Sequence, residues 1–419
     1  MRGNSSVILS VIEQHAEDAA FLWLLRDAAI TDPHYSLKDL AHLDGRVEAH
    51  LDGLRIAGDA GWEICAAALE TDEPGEIFTA AVLAFRSGDG RRIDAVVNAG
   101  SSSAANYRGL VSALGWLEFA DIEPIINHLL LANSALYRRI AIAAYAIHRH
   151  DPGEQLTAAI DDPDPQIRVR ALRAAGELRR HDLLNAIRKN FQHEDEACRF
   201  WSAWSAALLG DHAAIQPLMA FVNFATRYRE QALRLVLRVQ NGPEAQNWLK
   251  GLLQDKAQQR YVLMGCGITG DPMYIPTLIK QMAVPELARV AGEAFSLITG
   301  VDLAYQDLEG EWPEGFEAGP TENPDDEDVD LDPDEDLPWP EQALVQQWWD
   351  DNKGRFQAGQ RYLMGEPVSI AHCTTVLSTG FQRQRIAAAL ELALLQPDQA
   401  LFETRAPGFR QQLLLQGVS

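Results

Sequence analysis

The residues that could do chemistry are few, and each is weighed first by the reaction its type and spacing would support. Gly265-Cys266-Gly267-Ile268-Thr269-Gly270 matches the GxGxxG spacing of a dinucleotide-binding turn, in which glycines let the backbone approach a pyrophosphate between a strand and a helix. No strand pattern precedes it, and it closes a helical segment at the same phase as Ala207-Leu208-Leu209-Gly210. It therefore reads as a helix ending. His148 and His150 lie two residues apart and would point to different faces of a helix, and His372-Cys373 is an adjacent pair without partners. The alternating acids at Asp326, Asp328, Asp330, Asp332, Asp334 and Asp336 imitate a calcium loop, but they lack the Gly at the sixth position and the Glu at the twelfth that such a loop uses. No nucleophile elbow, P-loop or HExxH pattern is present. The expectation is a non-enzymatic chain with no catalytic residues, no cofactor and no metal.

The four cysteines, Cys65, Cys198, Cys266 and Cys373, are separated by 133, 68 and 107 residues. Those intervals fit neither a zinc clip nor a small disulfide framework, so the thiols read as small buried hydrophobes in a reducing compartment. The apolar stretch Val7 to Ile12 is too short for a signal core and is followed by Glu13, Glu17 and Asp18. No apolar run reaches the roughly 18 residues of a membrane span. A cytoplasmic protein is expected.

Stepping outward from these residues, the chain is organised by a repeat. Asp or Asn precedes an apolar stretch at Asp121, Asp151, Asp182, Asp211, Asn241 and Asp271, at spacings of 30, 31, 29, 30 and 30. Arginines keep the same clock at Arg108, Arg139, Arg170, Arg199, Arg229, Arg260 and Arg289. Between the markers, apolar residues recur at three- and four-residue spacing, the helical period. Each unit is thus two helices, with the marker acid as an N-cap. Helix pairs repeated without strands stack into a superhelical array, an all-α solenoid. Asp162-Pro163-Asp164-Pro165-Gln166-Ile167-Arg168-Val169-Arg170-Ala171-Leu172 resembles the turn and first helix of HEAT-like repeats, and the resemblance implies seven or eight units over roughly residues 62 to 300.

The sequence predicts four parts: an N-terminal helical cap over 1–60, the repeat array over 61–306, an acidic disordered linker over 307–341 and a small helical C-terminal module over 342–419. The net charge is −24, and residues 307–341 carry 16 acidic side chains and no Lys or Arg. Such a segment buries too little apolar area to offset chain entropy. The mildly acidic remainder argues against general nucleic-acid or anionic-membrane binding. Residues 165–240 nevertheless hold 12 basic against 7 acidic side chains. The arginine ladder has two readings, one as a stack-supporting set paired with acids and helix carbonyls, the other as a binding surface.

The terminal segments, Arg46-Val47-Glu48-Ala49-His50-Leu51-Asp52-Gly53-Leu54-Arg55, Trp348-Trp349, Gln360-Arg361-Tyr362-Leu363-Met364-Gly365 and Gln382-Arg383-Gln384-Arg385, resemble an uncharacterised proteobacterial family of helical-repeat proteins associated with type VI secretion gene clusters. The resemblance implies a compartment and a pathway; with the extended surfaces of a repeat array it leads to the expectation of a protein-binding scaffold or adaptor acting with a type VI effector or spike component. The alternatives are an immunity or inhibitor protein for a secreted toxin and a nucleic-acid-binding repeat protein. Candidate binding residues are Arg168, Arg170, Arg199, Arg229, Arg361, Arg383, Arg385, Trp348 and Trp349, the two tryptophans reading equally as core anchors. The acidic linker reads either as a passive spacer or as a flexible tether that screens Arg168, Arg170, Arg383 and Arg385 from nonspecific anions.

Overall fold

A computed structural model describes residues 8–223, 226–240, 242–252, 255–319 and 332–417. The chain is all-α, as expected. Helices α1 (Leu9–Ala29), α2 (Leu37–Ala57) and α3 (Asp59–Ala68) open it. There follow α4 (Pro74–Ser87), α5 (Gly90–Ala99), α6 (Ala104–Trp116), α7 (Phe119–Leu130), α8 (Ala135–Ile147) and α9 (Glu154–Ala159). Next come α10 (Pro165–Glu177), α11 (Leu184–Arg188), α12 (Glu196–Leu208), α13 (Ile215–Asn223), α14 (Arg229–Val239) and α15 (Gly242–Leu252). The last are α16 (Gln259–Thr269), α17 (Ile275–Gln281), α18 (Pro285–Thr299), α19 (Gln342–Asn352), α20 (Ile370–Thr379), α21 (Gln382–Leu395) and α22 (Gly408–Gln416). The chain forms two compact units. The first comprises Met1–Ser205, Phe381–Arg383 and Asp398–Ser419, the second Ala206–Gly380 and Gln384–Pro397.

Local chemistry explains the repeat. Ser103, Ser134 and Asp164 cap α6, α8 and α10, each side chain accepting from a backbone amide two or three residues on, which satisfies donors that the first turn leaves open. Of the marker acids, Asp151, Asp211 and Asp271 accept from the amides of Gly153, Ala213 and Met273. Asp121 instead lies inside the first turn of α7, Asp182 pairs with Arg180 at 2.7 Å, and Asn241 lies outside the described residues. A second clock marks the helix ends, where Gly88, Arg149, Arg179, Gly210, Gly270 and Gly300 all have φ between 58 and 85°. Two of these left-handed positions are arginines, which pay roughly 1 kcal/mol of backbone strain that glycine avoids.

In the first unit, Trp23 of α1 stacks on Phe78 of α4 at 5.0 Å, and Phe78 meets the edge of Trp116 on α6 at 5.3 Å. Helix α4 is buried continuously from Ile77 to Phe85, which makes it the centre of this core. Residues 401–410 run along the C-terminal ends of the repeat helices. Leu401 donates its amide to the Glu177 carbonyl at 3.0 Å. Arg149 donates to the Leu401 carbonyl and pairs with Glu403 at 3.2 Å. Arg410 donates to the Gly115 and Leu117 carbonyls at 2.7 and 2.9 Å, closing the end of α6. Buried Arg26 bonds Asp44 at 2.9 Å and the Arg405 and Ala406 carbonyls at 2.6 and 2.9 Å.

In the second unit the segment after α19 is not wholly helical. Strands β1 (Tyr362–Leu363) and β2 (Glu366–Pro367) form a hairpin whose turn residues, Met364 and Gly365, both have positive φ, the geometry that matches strand twist. The hairpin caps two helices. Tyr362 donates its amide to the Gly270 carbonyl at 2.8 Å, and Met364 and Gly365 donate to the Leu297 and Ile298 carbonyls at 2.7 and 3.0 Å.

The acidic segment expected as a disordered linker over 307–341 differs from that expectation at both described flanks. Glu309 bridges Pro340 in antiparallel fashion, and Trp312, Phe316 and Trp339 pack together with centroids 5.2 to 5.7 Å apart. Arg260 grips Asp334, and Arg289 pairs with Asp332 at 2.7 Å. Aromatic contacts and two repeat arginines supply what the charge count alone withholds. The core of the acidic run, 320–331, including half of the imitated calcium loop, lies outside the described residues. The expected C-terminal module is also divided, with 398–419 belonging to the first unit and α19, α20 and the hairpin to the second.

Candidate functional site

The arginine ladder resolves into two sets. Arg138, Arg168 and Arg199 are each the fourth residue of a capped first-layer helix, α8, α10 and α12. Each guanidinium turns back over the interrepeat turn. Arg138 donates to the Asn133 carbonyl at 2.9 Å, Arg168 to the Asp162 carbonyl at 3.0 Å, and Arg199 to the His193 and Glu194 carbonyls at 2.7 Å. Charge-assisted bonds to carbonyls that no helix amide can reach fix the turn. Arg168 and Arg199 therefore play a structural part here.

The second set faces its neighbours across repeats of the first unit. Tyr107 on α6, Arg139 on α8, Arg170 on α10 and Trp201 on α12 are spaced by 32, 31 and 31 residues. Arg139 lies over the Tyr107 ring at 3.8 Å and Arg173 over the Trp201 ring at 4.6 Å, geometry in which the ring face attracts the cation. Glu177 joins the row from below. It accepts from Arg170 at 2.9 Å and from Arg173 at 2.7 Å, with its own side chain only 3% exposed. Burial would push the Glu177 carboxyl up, but the Arg170 and Arg173 guanidiniums outweigh burial and hold it down at about 2. It stays ionised, so two arginines share one carboxylate.

Two polar atoms of this row lack a hydrogen-bond partner although both are buried: the Tyr107 hydroxyl and Nη1 of Arg170. Burial raises the Tyr107 phenol against the opposing influence of Arg139, Arg170 and Arg173, so it is a neutral donor at physiological pH. The row thus presents a phenol O–H and guanidinium N–H groups beside a net excess of cations. The carboxylate of the row, Glu177, is held ionised between two guanidiniums.

The other sequence candidates sit elsewhere. In the second unit Arg229 lies over Tyr261 at 4.5 Å. Arg361 and Arg238 bracket the buried Glu391, Arg238 at 2.9 Å. Arg385 is fully buried, donates to the Leu377 carbonyl at 2.7 Å, and is lowered to about 10 by burial. Trp349 is buried against Phe356 and Trp348 meets the edge of Phe295, so both are core anchors. In the first unit Arg383 donates to the Thr31 carbonyl at 2.8 Å. The nine candidates do not converge on one site. Only Arg170 belongs to the row above. The expected screening also changes partners, since the acids described at the end of the acidic segment hold Arg260 and Arg289.

The features read as chemically silent can be placed. Gly265 and Gly267 lie within α16, and a Cβ on Gly267 would stand 2.9 Å from the Ala294 backbone of α18. The glycine pattern therefore serves helix packing. All four cysteines are buried and free. Burial pushes the Cys65, Cys198 and Cys266 thiols up to about 12 and the Cys373 thiol to about 11, far from the thiolate a nucleophile needs. No cluster of three or more metal-ligating side chains occurs among the described residues, and no described helix is long and apolar enough to cross a membrane.

Tyr107, Trp201 and Glu177 escaped the sequence reading, which chose arginines and the Trp348-Trp349 pair. The signal was available, because Tyr107 and Trp201 keep the same clock as Arg139 and Arg170, and an aromatic one repeat from an arginine is a stacking partner. Residues 153–238 match HEAT repeats, the stretch that contains Arg170, Arg173, Glu177 and Trp201. No curated protein matches the chain.

Proposed function

We propose that this HEAT-like repeat protein is a non-enzymatic protein-binding scaffold. The observation that carries the reading is the row Tyr107, Arg139, Arg170, Arg173 and Trp201, in which consecutive repeats of one unit contribute one or two side chains each to a single surface. Stacked repeats suit this use, because each adds a rigid strip and the surface extends as far as the stack. The resemblance of the terminal segments to a type VI secretion-associated family supports a finer assignment, an adaptor for an effector or spike component.

The test is site-directed photocrosslinking in the native cell, with a photoreactive residue replacing Gln166, an exposed residue one turn before Arg170 on α10, in the full-length chain. A discrete crosslinked protein band from position 166, absent from a probe at the exposed Glu123 of α7, is the expected outcome. Identification of that band tests the secretion assignment separately. Identical crosslinking at 123 and 166, or none at either, overturns the scaffold reading.

A further inference from the structure

The scaffold reading leaves open what chemistry the row selects, and the row itself is specific about it. Arg139 stacks on Tyr107 and forms no ion pair among the described residues, while Arg170 and Arg173 share Glu177, and Glu403 also acts on Arg173. Three guanidiniums facing two carboxylates leave a local excess of positive charge. Arg173 is 40% exposed and Arg170 12%, so a ligand can reach the first and the second closes the floor. The Tyr107 hydroxyl and Arg170 Nη1 are buried without partners, and an unpartnered buried donor costs free energy that a bound acceptor would recover.

We propose that Tyr107, Arg139, Arg170 and Arg173 form a recognition site for a carboxylate side chain within an acidic peptide segment of the protein partner. This inference rests on the scaffold reading and names the partner's chemistry. A planar carboxylate accepts two parallel guanidinium N–H bonds and still has a lone pair for a phenol O–H. The Tyr107 and Trp201 rings lie under Arg139 and Arg173 and hold those two guanidiniums in place. A nucleic acid fits less well. A phosphate backbone demands a long track of cations, whereas this row is short and is bordered within the same unit by Glu177, Glu403 and Asp27.

The experiment uses the full-length chain and fluorescein-labelled hexaglutamate, followed by fluorescence anisotropy at low and at physiological salt. Loss of one charge-assisted hydrogen bond removes about tenfold in affinity, so Arg139→Gln and Tyr107→Phe should each weaken binding by at least that factor. Arg91→Gln on α5, an exposed arginine outside the row, should leave it unchanged. Tyr107→Phe deletes only a hydroxyl that has no partner in the free protein, so its urea midpoint should not fall, which separates lost recognition from lost fold. Absence of hexaglutamate binding, or equal binding by wild type, Arg139→Gln and Tyr107→Phe, overturns the proposal while leaving the crosslinking result intact. Oligothymidine of the same length that competes for the same residues with higher affinity also overturns it, in favour of nucleic acid.

Discussion

Glu177 is the residue on which the first-unit row turns. Two guanidiniums are held against it in a nearly water-free position, and removing one partner of such a group leaves the others buried and uncompensated. Glu177→Gln should therefore destabilise the protein by about 3 kcal/mol, read as a lowered urea midpoint at pH 7. The pH dependence has a definite sign. The carboxyl is held at about 2 from an ordinary value near 4.5, so its stabilisation is complete above the ordinary value and is lost as pH falls toward the lowered one. The variant should converge on wild type across that window; a constant difference down to pH 2 would contradict the pairing. Residue types were legible in the sequence and their duties only partly. Arg168 and Arg170 sit two positions apart on one helix, yet one clamps a turn and the other holds Glu177. Charge patterning cannot separate them, because the distinction lies in which way each side chain leaves the helix.

At the scale of elements, periodicity and capping chemistry carried most of the fold. Helices α1, α2 and α21, at Leu9–Ala29, Leu37–Ala57 and Gln382–Leu395, fall in the two end segments read from the sequence as helical. What escaped was the hairpin at 362–367, since two-residue strands have no period to read. Its docking depends on two helix-ending glycines, Gly270 and Gly300, where a Cβ would meet the Tyr362 and Met364 carbonyls. Gly270 ends α16 at φ +69°, and a Cβ there would collide with the Tyr362 carbonyl, whereas Gly210, at φ +85° in the same place of an earlier repeat, has open space around it. Gly210→Ala should cost only the left-handed backbone strain, roughly 1 kcal/mol. Gly270→Ala adds the displaced hairpin and should cost roughly 2 kcal/mol or more, with faster amide exchange of Tyr362, Met364 and Gly365. Equal destabilisation by the two substitutions would mean that the hairpin is not seated on α16.

At the scale of the whole molecule, both ends of the chain belong to the first unit. A repeat reading cannot anticipate this, because repeats pair with sequence neighbours and the contacts here join Arg26 to Arg405 and Ala406, and Arg149 to Leu401 and Glu403. The only sequence sign is that Arg149 and Arg179 hold left-handed positions where the clock elsewhere places glycine; at Arg149 the strain is offset by its bonds to the terminal segment. Deleting residues 398–419 would strip the carbonyl acceptors from buried Arg26, the Gly408 amide from Asp44, the Arg410 donors from the end of α6 and Phe409 from Trp116. With each charged bond worth about 1.5–3 kcal/mol, the loss should be on the order of 5 kcal/mol, comparable with the whole stability of many domains. Hydrogen exchange read by mass spectrometry should then show protection falling in α2, α6, α8 and α10. It should hold in α16 and α18, which belong to the second unit. If α2 and α8 keep their protection after the deletion, the terminal segment is a passenger on the first unit and the bonds from Arg26 and Arg149 contribute little to its stability.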